Sequence, residues 1–472
     1  MKLNSIQIKN YRSIDDISFE IIELEDKSYT YGLIGINEAG KSSILKALAL
    51  KDGLSDKKGP LPRLKDFRDE KSIEIIYFYS PNKTEEAEFK SSINSQLPEL
   101  DLKTVNLSEL ILKISFIFNN PTQVVINLEI PNATVAEKEA IQEQLKQAVL
   151  DKSHKSLFWT AEDKYLITEP INLSEFASDP NLSIPLWNSF SLIGIKSIED
   201  IRNKIGLISE STEREQLRES LGAKVTEHIN LAWPGHKIKI TFDISDGLIN
   251  FHIHDLNAKG KAKTTDQRSD GFGQFISFLL SISAQNKNEE LLNTVVLIDE
   301  PETHLHPQAQ EDMLRELIKT TQNNRNNIVF FATHSNYMID KSDLSRNYRI
   351  LKPNDATEKE QLKAGNSTYA RVTYEVFGIS SGDYHNEVYD LLREKYAKSE
   401  NKDPDLVGIK EFDNGFFRQQ KKLKPDYPYK GKKKNTTLPT YVRNAIHYPE
   451  NRDKDFDGKL KESIELLKSY EQ

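Results

Sequence analysis

Gly35-Ile36-Asn37-Glu38-Ala39-Gly40-Lys41-Ser42 decides how this chain is read. The octet fits G-x-x-x-x-G-K-[ST], a loop whose backbone N–H groups wrap a phosphate while a lysine neutralises its oxygens and a hydroxyl is offered to Mg2+. On that reading Gly35, Asn37, Glu38, Ala39, Gly40 and Ser43 are binding positions, Lys41 faces the β and γ oxygens, and Ser42 is a metal ligand. The flanks agree. Residues 29–34 form an apolar strand that runs into the loop, and Ile44, Leu45, Ala47 and Leu48 follow it at helical spacing.

Upstream, Ile6 and Ile8 alternate with polar neighbours, and residues 17–22 alternate again before a polar turn, so the chain opens as sheet. Far downstream, the apolar run Val295-Val296-Leu297-Ile298 ends in Asp299 and Glu300, and residues 328–332 form a second such strand ending in Thr333-His334-Ser335. Continuous apolar runs of this length suit parallel core strands buried on both faces. A buried strand that delivers two carboxylates is what the second half of a phosphate site needs. Asp299 would join the Mg2+ water shell, and Glu300 would stand beside the γ-phosphate to orient or deprotonate water. His334, one helix and one strand later, could meet the γ-phosphate through a ring nitrogen. Taken singly, Asp299 to Thr303 also reads as a strand end followed by a solvated acidic turn, and His334 as a polar turn residue.

At 472 residues the chain is about three times a usual domain of roughly 150, which predicts two or three compact units. A content of 37% hydrophobic and 29% charged residues, with 20 Gly and 18 Pro, excludes a disordered or collagenous chain. The absence of Cys removes disulfide frameworks, thiolate metal sites and thiol nucleophiles, and fits a reducing cytoplasm. No run approaches the roughly 18 apolar residues of a membrane span, and the start Met1-Lys2-Leu3-Asn4-Ser5-Ile6 has no apolar signal core, so a cytoplasmic location and no membrane are expected. With 64 Lys+Arg against 72 Asp+Glu, the net charge of -8 leaves nucleic acid only a local basic patch to bind.

The two ends of the core are separated by more than 200 residues, too many for a loop, which predicts an insertion with structure of its own. Residues 114–118 and 124–130 read as paired strands, 133–149 as a helix, 197–232 as one or two helices, and 237–243 with 248–255 as a hairpin around Ser245-Asp246-Gly247. After Pro353 the texture changes: 374–398 is helical and aromatic-rich, 418–434 is strongly basic, and the chain ends in a linker and a helix.

The order of phosphate loop, long insertion, Arg268-Ser269-Asp270-Gly271-Phe272-Gly273-Gln274, Asp299-Glu300-Pro301-Glu302 with His304-Leu305-His306-Pro307, then Thr333-His334-Ser335 resembles the ABC-type ATPase heads of the SMC and OLD class. It is most similar to the shorter AAA-15 ATPases of bacterial anti-phage systems such as Septu, PARIS and some retrons, over residues 1–352. The resemblance implies an α/β fold: a P-loop head with a mixed core sheet, flanking helices and an inserted α/β region, plus a mainly helical C-terminal module. The segments would be 1–80 and 261–352 for the two halves of the head, 81–260 for the insertion and 353–472 for the module. It also implies ATP and Mg2+ as cofactors and a head-to-tail homodimer or higher oligomer. Ser269 and Gly271 of one subunit would cap the γ-phosphate held by Lys41 of another, and Arg12 in Asn10-Tyr11-Arg12-Ser13 would contact phosphate. The signature has Asp270 where Gly is usual, so transporter-like turnover does not follow. Neither Gln96 nor Gln123 fits the usual Q-loop.

OLD nucleases add a metal-binding acidic cluster after the head, but no strand-delivered Glu followed by Asp-x-Asp stands between Pro353 and Gln472. Within 443–447, Arg443, Asn444 and His447 resemble the R-N-x-x-x-H element of HEPN ribonucleases, one residue short, and also read as an ordinary helix end. The cluster Tyr384, His385, Asn386, Glu387 and Tyr389 reads as an interface or a satisfied helix face. Arg418, Lys421, Lys422, Lys424, Lys430, Lys432, Lys433 and Lys434, against Asp426 alone and interleaved with Tyr427 and Tyr429, form the one patch suited to nucleic acid or an acidic partner. The expectation is an ATPase that controls a separate effector nuclease in anti-phage defence. The alternatives are an ATP-gated ribonuclease using Arg443 and His447, or a repair-type SMC-like ATPase, although no long heptad run is present.

Overall fold

In a computed structural model, which describes residues 1–51, 61–96, 105–129, 134–160, 163–167, 170–233, 237–256, 263–264, 270–284, 291–303, 305–322, 324–362, 368–428 and 435–471, the chain begins as a hairpin of β1 (Lys2–Tyr11) and β2 (Ile14–Glu20). β3 (Thr30–Ile34) leads into the phosphate loop and α1 (Lys41–Ala49) leaves it. β4 (Ile73–Ser80), α2 (Lys83–Gln96), β5 (Asn106–Phe116) and β6 (Gln123–Glu129) follow. The strands β2-β1-β4-β5-β6 form an antiparallel sheet. In β1, Ile6 and Ile8 are buried while Gln7 and Lys9 are not, as a sheet with one face on the core requires. β5 begins earlier than the strand expected over 114–118, with Leu107 and Leu110 already buried and Asn106 pairing with Glu129 of β6 before a shift of register.

The chain continues through α3 (Val135–Lys152), β7 (Lys155–Trp159), β8 (Ile171–Asn172), α4 (Leu173–Ser178), α5 (Ile184–Leu192), α6 (Ile198–Gly206) and α7 (Ser211–Ala232). The hairpin of β9 (Ile238–Ser245) and β10 (Leu248–Asp255) turns at Asp246 and Gly247, and with β8 and β11 (Lys263–Thr264) it makes a small second sheet. α8 (Asp270–Phe278) runs on into a π-helical turn, Leu279–Ser283, whose carbonyls at Leu280 and Ser281 accept from Asn188 Nδ2.

β12 (Thr294–Asp299), α9 (Pro307–Thr321), β13 (Ile328–Thr333), β14 (Asn347–Leu351) and β15 (Glu358–Gln361) complete a third sheet, ordered β15-β14-β3-β13-β12-β7. It is parallel except for β15. Val295 and Leu297 face one apolar cluster, shared with α1 and the antiparallel sheet, while Val296 and Ile298 face another, shared with α5, α7, α8 and α9. Two covered faces explain the unbroken apolar runs. In this order the strand bearing His334 lies between the phosphate-loop strand and the strand bearing Asp299. The loop, the carboxylates and the histidine therefore all leave the same carboxyl edge, where ligands of open parallel sheets bind.

The chain divides into two compact units, Met1–Ala364 and Gly365–Gln472. β15 therefore belongs to the first unit, although its residues follow Pro353, because it pairs with β14. The second unit comprises α10 (Tyr369–Phe377), α11 (Gly382–Ser399), α12 (Ile409–Phe412), α13 (Leu438–His447) and α14 (Phe456–Glu471) around its own aromatic-rich core. The stretch 374–398, expected to be helical, lies in two helices, parted at Gly378 and restarted by Ser381, whose hydroxyl accepts from Tyr384 N. Among the described residues no helix is long and apolar enough to cross a membrane.

Candidate functional site

The phosphate loop closes on itself and on its neighbours. Lys41 is buried at the start of α1, and its Nζ donates to the carbonyls of Gly35 and Ile36, each at 2.9 Å. Burial pushes its ammonium below the ordinary lysine value, against the pull of Glu300, Glu302 and Asp299. A cation held so by weak carbonyl acceptors is ready to exchange them for phosphate oxygens. Both loop glycines are sterically required. Gly40 has φ 107° and a Cβ there would lie 2.4 Å from Thr357 Oγ1, while a Cβ on Gly35 would lie 2.5 Å from the Ile350 carbonyl.

Ser42 Oγ donates to Asp299 Oδ1 at 2.8 Å, which joins the helix after the loop to the end of β12. Burial raises the Asp299 carboxyl above its usual range, with the Ser42 hydroxyl opposing. Immediately beyond, Glu300 takes a left-handed backbone, φ 50°, its N–H donating to the Ala332 carbonyl at 3.0 Å. That conformation is rare for a residue with a side chain, and it recurs at functional sites. It parts the two glutamates: Glu300 stays half-exposed at the cavity, while Glu302, which taken singly also reads as part of a solvated acidic turn, is only 3% exposed. His334 Nδ1 stands 3.6 Å from Glu300 Oε1 and 3.4 Å from Glu302 Oε1. Burial raises the Glu302 carboxyl, with hydrogen bonds from Thr333 and His334 opposing.

Arg12, Asn37, Glu38, Lys41, Ser42, Ser43 and Glu300 line one cavity of about 370 Å³ together with Gly40, Ser13 and Lys352. Asp299 reaches it through Ser42 and His334 through Glu300, while Ala39 is buried behind the loop. Arg12 has φ 52° and is pinned by Asp66, whose Oδ1 accepts from Nε at 2.7 Å and whose carbonyl accepts from the backbone N–H at 2.9 Å. Ser13 shares a 2.7 Å hydroxyl contact with Thr357 and accepts from Thr357 N at 2.7 Å, so the turn after β1 is tied to the residue that packs on Gly40. Sequence reasoning missed Lys352, Thr357 and Glu302. The first two matter only because β14 lies beside β3, with Arg349 level with Ile34, and no motif announces that.

Three cations and a loop of N–H groups around a cavity of this size suit a polyphosphate. Among the described residues no cluster of three or more His, Asp or Glu could hold a metal unaided. Ser42 and Asp299 nevertheless offer adjacent hard oxygens, and Mg2+ usually takes one or two protein ligands beside phosphate and water, so the residues present fit it.

Ser269 lies outside the described residues; Gly271 lies in the first turn of α8, and the described residues that line the cavity include none of α8. In the second unit, Arg443 sits 5.6 Å over the Tyr389 ring and His447 is exposed at the end of α13. His385 is fully buried, with Nε2 2.8 Å from Ser463 Oγ, and burial lowers it to about 3. In the basic run, Arg418 is committed to the buried Asp413 at 2.6 Å and Lys421 lies over the Phe416 and Tyr470 rings; residues 429–434 lie outside the described ones.

A crystal structure of an SMC head bound to the C-winged helix domain of ScpA is similar over 77% of this chain and 98% of that one, at 14% identity and a TM-score of 0.46. An Smc head with an extended coiled coil, bound to the C-terminal domain of ScpA derived from Pyrococcus furiosus, is similar over 76% and 96%, at 12% identity and 0.42. The SMC head domain from Thermotoga maritima is similar over 77% and 100%, at 10% identity and 0.39. No curated protein matches the chain. The family model AAA_15, described as an AAA ATPase domain, matches residues 1–339, and the chain belongs to that family.

Proposed function

We propose that this AAA_15 ATPase is of the ABC type, hydrolyses Mg-ATP in sites completed by a second copy of itself, and uses that cycle to control a separate effector nuclease in anti-phage defence. The observation that carries the reading is the convergence of Lys41, the Ser42–Asp299 pair and Glu300 on one cavity. The loop N–H groups and Lys41 bind the phosphates, and Arg12 and Lys352 add charge at the rim. Glu300 accepts the proton of the attacking water or holds it in line. Mg2+, held by Ser42 and Asp299, would neutralise charge developing on the phosphate oxygens.

Ser269 and Gly271 of a second copy would cover the γ-phosphate. Hydrolysis would then rise more steeply than in proportion to protein concentration. Sedimentation of the wild type and of Ser269→Arg with Mg-ATP tests this: ATP should raise the dimer fraction of the wild type only, and no rise in the wild type rules the composite site out.

The effector belongs to the same reading through the family resemblance. Its test is cleavage of tRNA and duplex DNA by the purified chain with Mg-ATP, beside His447→Ala. Cleavage lost in that variant would place the effector within this polypeptide. No cleavage by the chain alone, with cleavage on adding a second protein, is the expected result. Lys422 and Lys424 remain exposed for a nucleic acid or acidic partner.

A further inference from the structure

Glu302 has no place in the hydrolysis scheme above, yet it is the most costly acidic side chain around the site. A carboxylate at 3% exposure must be compensated by hydrogen bonds or it destabilises the fold. It sits in a turn, not in the sheet, and one of its oxygens does nearly all the work. Oε1 accepts from Thr333 Oγ1 at 2.5 Å and from the His334 backbone N–H at 3.0 Å, and lies 3.4 Å from His334 Nδ1. Oε2 is buried with no hydrogen-bond partner among the described residues. The histidine loop is clamped from the same side, since Ser335 Oγ donates to Gln310 Oε1 and Ser335 N to Thr333 Oγ1.

We propose that Glu302 is a positioning residue, whose carboxylate keeps the proton of His334 on Nδ1 and holds the ring off Glu300. The proposal rests on the reading of Glu300 as the water-orienting group. An acceptor-only oxygen facing Nδ1 selects the tautomer with Nδ1–H and leaves Nε2 as the free acceptor, the logic by which carboxylates orient metal-bound histidines. Glu300 Oε1 lies 3.6 Å from the same nitrogen and competes for its proton. With Glu302 present, Nδ1–H has a partner in the protein interior and the Glu300 carboxylate is free for water. Without it, the acceptors left to the half-exposed His334 ring are Glu300 and water, and every bond to Glu300 occupies the water-orienting group.

The test uses the full chain labelled with 15N-histidine, at a pH of about 8, above the ordinary imidazole value of about 6.5. His334 is assigned by its loss in His334→Gln. Long-range 1H–15N spectra are expected to show the Nδ1–H tautomer in the wild type and in Glu302→Gln, which keeps an acceptor oxygen, and its loss in Glu302→Ala. In parallel, kcat for ATP should fall about tenfold or more in Glu302→Ala and less in Glu302→Gln. Affinity for a fluorescent, non-hydrolysable ATP analogue should stay within about twofold of wild type. An Nε2–H tautomer in the wild type, or an unchanged tautomer in Glu302→Ala, overturns the proposal; if Glu302→Ala does not fold, the wild-type and Glu302→Gln spectra still decide. If the wild type binds no ATP and Lys41→Ala changes nothing, the ATPase reading fails instead, while the spectra still report on the Glu302–His334 pair.

Discussion

Ser42 and Asp299 are 257 residues apart in the chain and share a hydrogen bond of 2.8 Å. The bond brings a helix N-terminus and a strand C-terminus together with two oxygens side by side, which is the local condition for a hard divalent ion. Ser42→Ala is expected to weaken Mg-ATP about ten- to hundredfold, the range for a lost hydrogen bond to a charged group. Binding of ATP in EDTA should change little. Calorimetric titration with and without Mg2+ separates the two, and an equal loss in both would remove Ser42 from the metal.

Glu300→Gln keeps the shape of the side chain and removes its basicity. Bound ATP should persist unhydrolysed, with turnover reduced by about a hundredfold or more, and the dimer fraction should rise. Filter-trapped radiolabelled ATP and sedimentation at matched concentrations check it. Wild-type turnover in this variant would take Glu300 out of the chemistry.

The outer edge of β9 is paired with the side chains of α7. Arg218 Nε donates to the Phe242 carbonyl at 2.9 Å, Thr226 Oγ1 accepts from Ile240 N at 2.8 Å, and the Asn230 amide bonds both Ile238 O at 2.7 Å and Ile238 N at 3.0 Å. Gly222, in the same four-residue spacing, lets the helix approach, for a Cβ there would lie 3.1 Å from Ile240 O. Open strand edges invite other chains, and here the helix shields them. Asn230→Leu should destabilise the first unit by about 1–3 kcal/mol and raise self-association. Thermal unfolding and size-exclusion elution over a concentration series are the measurements.

Arg346, 1% exposed, bridges Asp26 at 2.6 Å and Asp340 at 2.8 Å. Burial alone would raise the Asp26 carboxyl, but hydrogen bonds from Ser28 and Arg346 outweigh it and hold it below the usual 3.8. A depressed carboxyl stabilises the fold above its unfolded value and loses that contribution as pH falls through the folded value. Arg346→Met should therefore destabilise by about 3 kcal/mol at neutral pH, and the gap from wild type should narrow as pH drops below about 4. Denaturant midpoints measured across that range check it; a gap independent of pH would mean that Asp26 does not share in the stabilisation.

The chemistry-bearing stretches were legible because they are local: a strand, a glycine loop and a helix follow one another within residues 29–50, and two apolar runs end in the residues that act. The parallel pairing of β3, β13 and β12 follows the same runs, since a strand buried on both faces has no polar face to show. Glu302 resisted reading because polar turns after strands are usually solvated, and its burial depends on the left-handed turn at Glu300 and on the Thr333 hydroxyl above it. Within the helical stretch 374–398 the break at Gly378 is not legible, because a lone glycine is also tolerated inside a helix.

By itself, then, the amino-acid order determined the phosphate loop, the carboxylate-ending strand and the histidine strand, since backbone geometry and apolar periodicity act over a few residues. Only the tertiary structure decided that Lys352 and Arg12 face Lys41 across one cavity, that Thr357 seats Gly40, and that Glu302 reaches His334. Each of those contacts joins segments whose separation along the chain says nothing about their distance. Strand order sets that distance, and strand order is chosen by burying the two apolar faces of the central sheet at once.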